Sequence, residues 1–151
     1  MFKVKYGINM ELNACEEVSR DEPYSVNFVA RTAENNGVSS RVRIMEGKRP
    51  QKSGIITVAG GGSVLSTFLQ NEDFYSGRDL YLLMDKENVS QYAKLFFITV
   101  FEQNKIKYSY GRQANKTLPD ILVKLPATSK GSPDWNFIEN YIKSLPYSDR
   151  I

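Results

Sequence analysis

The chain has 151 residues, with 20 Lys and Arg against 17 Asp and Glu, 41% hydrophobic residues, one cysteine and no histidine. That length suits one domain around one hydrophobic core, and the composition is that of a folded protein rather than a disordered segment. The missing histidine removes Ser-His-Asp and Cys-His nucleophile systems and the usual general base at neutral pH. Cys15 alone can form neither an internal disulfide nor a cysteine-based zinc cluster, and a net charge of +3 is too small by itself to argue for a nucleic-acid partner.

In chain order, Phe2, Val4, Tyr6, Ile8, Met10 and Leu12 alternate with Lys3, Lys5, Gly7, Asn9 and Glu11. Period two predicts a half-buried strand over this stretch, bent at Gly7. Asn13 to Pro23 reads as loop. Ser25 to Arg31 and Val38 to Met45 form the clearest hairpin, turning at Asn36-Gly37, a pair that favours a type I′ turn. Its return strand sets Val38, Val42 and Ile44 on one face and Arg41 and Arg43 on the other. Gly54 to Ala59 is a short apolar strand running into Gly60-Gly61-Gly62, and Ser63 to Gln70 resumes the pattern. Asp79 to Met84 is apolar on both faces, which predicts a central strand. A helix is predicted from about Ser90 to Gln103, where Ala93, Phe96, Phe97, Val100 and Phe101 form a stripe and Ser90 can act as N-cap. Ile121 to Leu125 reads as a last strand closed by Pro126. After a small, polar linker a second helix spans about Asp134 to Leu145, with Trp135, Ile138 and Ile142 as its apolar stripe and Pro146 at its end. The expected fold is α+β: a β-rich recognition domain over residues 1–126 with a twisted, mostly antiparallel sheet and one packed helix. Residues 127–151 are expected to form a linker and the start of a helical spacer or partner-binding segment.

Several stretches carry possible chemistry. The Gly60–Ser63 turn could offer backbone N–H groups to a phosphate, but no Gly-Lys-Ser/Thr follows as in a P-loop; a tight turn needing positive φ is the plainer reading. Lys105 to Lys116 holds four cations, no acid, two tyrosines and two amides. Cations suit phosphates, Arg and amides can read base edges, and tyrosines can stack. Arg41 to Lys52 holds five cations against Glu46 alone. Arg41 and Arg43 on one strand face would fit a major groove as a β-ribbon, or simply form the charged outer face of a half-exposed sheet. Asp73 and Asp79 flank Phe74-Tyr75-Ser76-Gly77-Arg78; with no further acid at metal-loop spacing, capping or an Asp79–Arg78 pair is the expected role. Trp135, Ile138 and Ile142 could pack on this chain's own core or meet a partner. No run of about 18 apolar residues predicts a membrane span, Met1 to Tyr6 lacks a signal-peptide segment, and a cytoplasmic location is expected.

Taken as an ordered set, several blocks resemble one family. They are Asn27–Thr32 with Asn35–Val38; Gly54–Ser63; Thr67-Phe68 with Phe74–Asp79; Tyr108–Lys116; and Leu125-Pro126 followed by Pro133-Asp134-Trp135. They are similar to the target recognition domains of type I restriction–modification specificity subunits and of related type IIG and IIB systems. The resemblance implies a domain that binds a short half-site in duplex DNA, carries no catalytic centre, and positions an adenine methyltransferase and, in restriction complexes, a nuclease. S-adenosylmethionine and ATP would be held by those partner subunits, and no cofactor or metal by this chain. A full type I subunit resembles two such domains joined by long helices. Here one domain is followed by a short helix, so a second recognition domain or a homodimer is implied.

On this reading Gly61, Gly62, Ser63, Arg112 and Lys116 are expected to contact phosphate. Arg41, Arg43, Arg78, Tyr110, Gln113 and Asn115 are expected to read bases, and Trp135, Ile138 and Ile142 to meet a partner. The competing expectation is a non-catalytic protein–protein adaptor docking through its C-terminal helix. A small carboxylate-dependent hydrolase would need two acids brought together in a pocket.

Overall fold

The computed structural model describes residues 1–108 and 117–151. Among the described residues, seven strands form two sheets. The first holds β1 (Phe2–Tyr6), β4 (Ile56–Ala59), β5 (Thr67–Leu69) and β7 (Leu80–Asp85) in the order β1-β7-β4-β5, all antiparallel. The second holds β2 (Ser25–Val29), β3 (Val38–Arg43) and β6 (Phe74–Ser76) in the order β3-β2-β6, with β2 antiparallel to β3 and parallel to β6. The mixed α+β class is as expected, but the strands divide between two sheets rather than one.

The layers follow from which faces are apolar. β7 lies between β1 and β4, as its two apolar faces required. Leu83 points with Ile56, Val58 and Leu69 toward Phe97 and Phe101 of α1 (Gln91–Glu102), whereas Leu80 and Leu82 pack with Val29 and Phe74 of the second sheet. Val26, Phe28, Val42 and Tyr75 face the opposite way, onto Met10, Leu12 and Met45. Four layers result: α2 (Trp135–Ser144), α1, the first sheet and the second sheet.

Both helices start where the sequence supplies a cap. Ser90 Oγ accepts from Ala93 N at 3.3 Å, and Asp134 Oδ1 accepts from Phe137 N at 3.0 Å. α1 also buries Lys94, whose ammonium donates to Gly54 O at 2.8 Å and meets Asp85 at 3.0 Å; a buried cation survives only when so paired. Ile138 is fully buried against Val89 and Ala93, which docks α2 onto α1.

Four local differences from expectation stand out. The first strand stops at Tyr6, because at Gly7 the chain crosses the end of β6: a Cβ there would lie 2.9 Å from Ser76 Cβ, and Ile8 N donates to Ser76 Oγ at 2.8 Å. The hairpin tip is not a two-residue turn. Asn35, Asn36 and Gly37 all adopt left-handed φ, at 46°, 55° and 78°. Residues 121–125 alternate as a strand would, with Ile121, Val123 and Leu125 on the core and Leu122 exposed, yet they pair with no strand among the described residues. β6, three buried residues, was not foreseen, being too short to show a period.

Candidate nucleic-acid interface

Strand ends gather the polar chemistry at one end of the molecule. β1, β2, β4 and β6 finish there and β7 begins there, since Tyr6 pairs with Tyr81, Val29 with Ser76 and Ala59 with Leu80. Asp79, at φ 50°, is the hub. It accepts from Arg31 Nη1 at 2.6 Å and from the Tyr6 hydroxyl at 2.9 Å, and its own N–H donates back to that hydroxyl at 3.0 Å. Burial, followed by the Asp79 carboxylate, pushes the Tyr6 phenol above its ordinary pKa. Arg31 lies directly under the glycine turn. A Cβ on Gly61 would stand 3.0 Å from the Arg31 guanidinium, and one on Gly62, at φ 62°, would stand 2.8 Å from Arg31 O. The glycines therefore allow backbone to approach backbone, the plainer of the two sequence readings. Ser63 N donates to Arg31 O at 3.2 Å and Gly60 N to Asp79 O at 2.8 Å, so two N–H groups of this turn are already engaged. Gly62 is exposed, with Ser63 half-buried beside it.

Arg41, Arg43 and Arg78 are each held by acids. Arg41 stands opposite Asn27 across β2–β3. It donates to Ser25 Oγ at 2.9 Å, Ser25 O at 3.0 Å, Asn27 Oδ1 at 3.0 Å and Glu72 Oε2 at 2.6 Å. The Arg41 hydrogen bond is the main reason the Glu72 carboxyl sits below the ordinary carboxylate range. Arg43 bridges Glu16 at 2.8 Å and Glu22 at 2.9 Å, and its hydrogen bond to Glu16 pulls that carboxyl down. Arg78 pairs with Glu11, so the expected Asp79–Arg78 pair is replaced by Asp79–Arg31 and Arg78–Glu11. Asp73 accepts from Lys52 at 2.7 Å and Ser53 N at 3.0 Å, and the lysine bond lowers its pKa. Asp73 and Asp79 thus belong to separate networks, and among the described residues no group of three His, Cys, Asp or Glu side chains could hold a metal.

Of the five cations in 41–52, Lys48 and Arg49 have no carboxylate within ion-pair distance among the described residues. Both are exposed, on a turn pinned from below where the Tyr75 hydroxyl donates to Lys48 O at 2.7 Å and accepts from Met45 N at 3.1 Å. Sequence reasoning counted them in the basic segment without separating them from the paired arginines, because the acids that pair Arg41 and Arg43 come from remote loops.

An open groove of about 370 Å³ lies between the edge strand β3 and the chain leaving β5. Its walls include Asn35, Asn36, Ser39, Arg41 and Asn71. A bulge between Phe28 and Val29 in the β2–β3 register turns Ser39 outward. The proposed readers Tyr110, Gln113 and Asn115, and the proposed phosphate contacts Arg112 and Lys116, lie outside the described residues. On α2, Ile138 and Ile142 are buried and Trp135 is half-buried against the α1–α2 contact, so most of the expected partner stripe is spent within the chain. The exposed face of that helix carries Phe137 and Tyr141 instead, their rings stacked at 6.5 Å. No helix among the described residues is long and apolar enough to cross a membrane.

The chain is similar to a restriction-enzyme specificity subunit. The relative is the type II restriction enzyme BgcI specificity subunit S.BcgI of Heyndrickxia coagulans, 28% identical over 130 residues. The alignment takes in 82% of this chain and 36% of the relative, so the chain spans about a third of the length of the curated relative it matches. No family model matches the chain. The ordered residue blocks and this alignment both liken the chain to a restriction–modification specificity subunit.

Proposed function

We propose that the chain is the duplex DNA target recognition module of a restriction–modification system. It reads one half-site and has no catalytic role of its own. The similarity to a specificity subunit over 82% of the chain is the observation that carries this reading. The two ends of β3 suit it physically. The strand runs from the groove wall near Asn35 to the turn bearing Lys48 and Arg49, about 20 Å at the usual strand rise, against a major groove about 12 Å wide. Lys48 and Arg49 join Gly61, Gly62, Ser63, Arg112 and Lys116 as phosphate contacts. Arg41, Arg43 and Arg78 would exchange a carboxylate for a base to read sequence directly; Tyr110, Gln113 and Asn115 are the other proposed readers.

A methyltransferase subunit and, in a cutting system, a nuclease would dock on the assembled complex. Those partners would bring S-adenosylmethionine and ATP. The exposed Phe137–Tyr141 face of α2 is where such a partner, a second recognition domain or a second copy would meet this chain. The same face supports the second reading, a protein–protein adaptor without DNA. Selection from randomised duplex DNA by the purified chain separates the two. A short enriched motif of roughly three to five base pairs is the expected result; recovery of no DNA at low salt would leave the adaptor.

A further inference from the structure

The hairpin tip beside the groove is over-determined by hydrogen bonds. Three successive residues, Asn35, Asn36 and Gly37, hold left-handed φ, a conformation glycine adopts freely and asparagine more readily than other side-chain-bearing residues, and hydrogen bonds hold both asparagines in it. The enforcing bonds are specific. Asn35 Nδ2 donates to Val38 O at 2.9 Å and Asn36 Nδ2 donates to Leu69 O at 3.0 Å. Gln70, 1% exposed, donates from Nε2 to both Asn36 O and Thr57 Oγ1 at 3.0 Å, tying the tip to the first sheet. Because the acceptors of both asparagines are main-chain carbonyls, which can only accept, each side-chain NH2 must point inward. Each Oδ1 is left without a hydrogen-bond partner among the described residues, on residues that line the groove.

Asn71 lines the same groove directly after Gln70, whose backbone is fixed by Gln70 N to Ile55 O at 3.0 Å and Gly54 N to Gln70 O at 2.7 Å. Its side chain is exposed, and its amide has no partner among the described residues. The groove therefore presents one complete amide, donor and acceptor together, beside two immobilised acceptors. A free asparagine amide is the bidentate complement of the adenine N6 and N7 edge, while guanine offers only acceptors in the major groove. Arg41, the guanidinium that could have read guanine here, has four of its five N–H donors taken by Ser25, Asn27 and Glu72, which leaves it no bidentate pair to offer.

We infer that this groove reads an adenine in the major groove, with Asn71 as the bidentate reader, Asn35 and Asn36 as flanking acceptors that disfavour guanine, and Gln70 as the positioning residue. The inference rests on the DNA-recognition reading and assigns a base to it. The test is a pair of selections from randomised duplex DNA, with the unaltered chain and with Asn71→Ala, alongside titrations of both proteins against a random-sequence duplex. The unaltered chain is expected to enrich a motif containing adenine. Asn71→Ala is expected to lose preference at one adenine position by roughly five- to 150-fold, the range of one bidentate contact, while affinity for the random duplex and its salt dependence stay unchanged. The same motif from both proteins, or a motif without adenine, overturns the adenine assignment and leaves DNA recognition standing. No DNA binding by the unaltered chain overturns both.

Discussion

Glu72 shows how little of a side chain's role is set by its neighbours in sequence. It lies 31 residues from Arg41, yet their 2.6 Å contact decides whether that arginine is free to read a base. Its carboxyl, like those of Asp73 and Glu16, is held below the ordinary carboxylate range in the folded protein. Such a group contributes stability above its unfolded pKa, and loses it as pH falls through the folded pKa. The melting temperature should therefore drop from neutral toward acid pH, and Glu72→Gln should drop less steeply; equal pH slopes for the two proteins would remove Glu72 from that effect. At neutral pH the loss should be small, about 1 kcal/mol or less, because the pair is partly solvated. Gly62 makes the opposite case, since its role was legible. Gly62→Ala forces a Cβ onto Arg31 O from a positive φ. It should cost roughly 1–3 kcal/mol in urea unfolding, and a stability change within error would contradict the close-approach account of the glycine turn. Arg31 falls within the Asn27–Thr32 block, but nothing local in the sequence marks it as the partner of Asp79.

Among the elements, those with a strong period were legible and those defined by pairing were not. α1 and α2 lie close to where the apolar stripes and the Ser90 and Asp134 caps placed them. β7 sits centrally because both its faces are apolar. By contrast, the alternation in 121–125 is real but finds no ladder among the described residues, and β6 is defined by its parallel pairing with β2 and a bridge from Phe74 to Gln51. The apolar stripe of α2 could not say whether its complement was this chain or another, and the structure answers for Ile138. Ile138→Ala should cost about 2–5 kcal/mol by opening a cavity against Val89 and Ala93, read as a lowered urea midpoint. Phe137→Ala, on the exposed side of the same helix, should leave the midpoint nearly unchanged; an equal loss from both would mean that α2 is not seated on α1 as described.

For the molecule as a whole, the sequence blocks pointed to the kind of protein, and the fold shows where the charge is available. A net charge of +3 understates the contrast between arginines neutralised by remote acids and Lys48 and Arg49, which have no ion-pair partner among the described residues. If those two contact phosphate, Lys48→Ala with Arg49→Ala should weaken binding to all duplexes alike and reduce the slope of log affinity against log salt by about 2, since each phosphate contact contributes about 0.9. A change of motif at constant slope would instead make them base readers. The most direct test of sequence-specific duplex recognition is an equilibrium titration of the chain with a duplex bearing the selected motif and with a scrambled duplex, across a series of salt concentrations. The account predicts tighter binding to the motif at every salt concentration and a steep fall for both duplexes as salt rises. Equal affinity for the two duplexes, or affinity indifferent to salt, would contradict it.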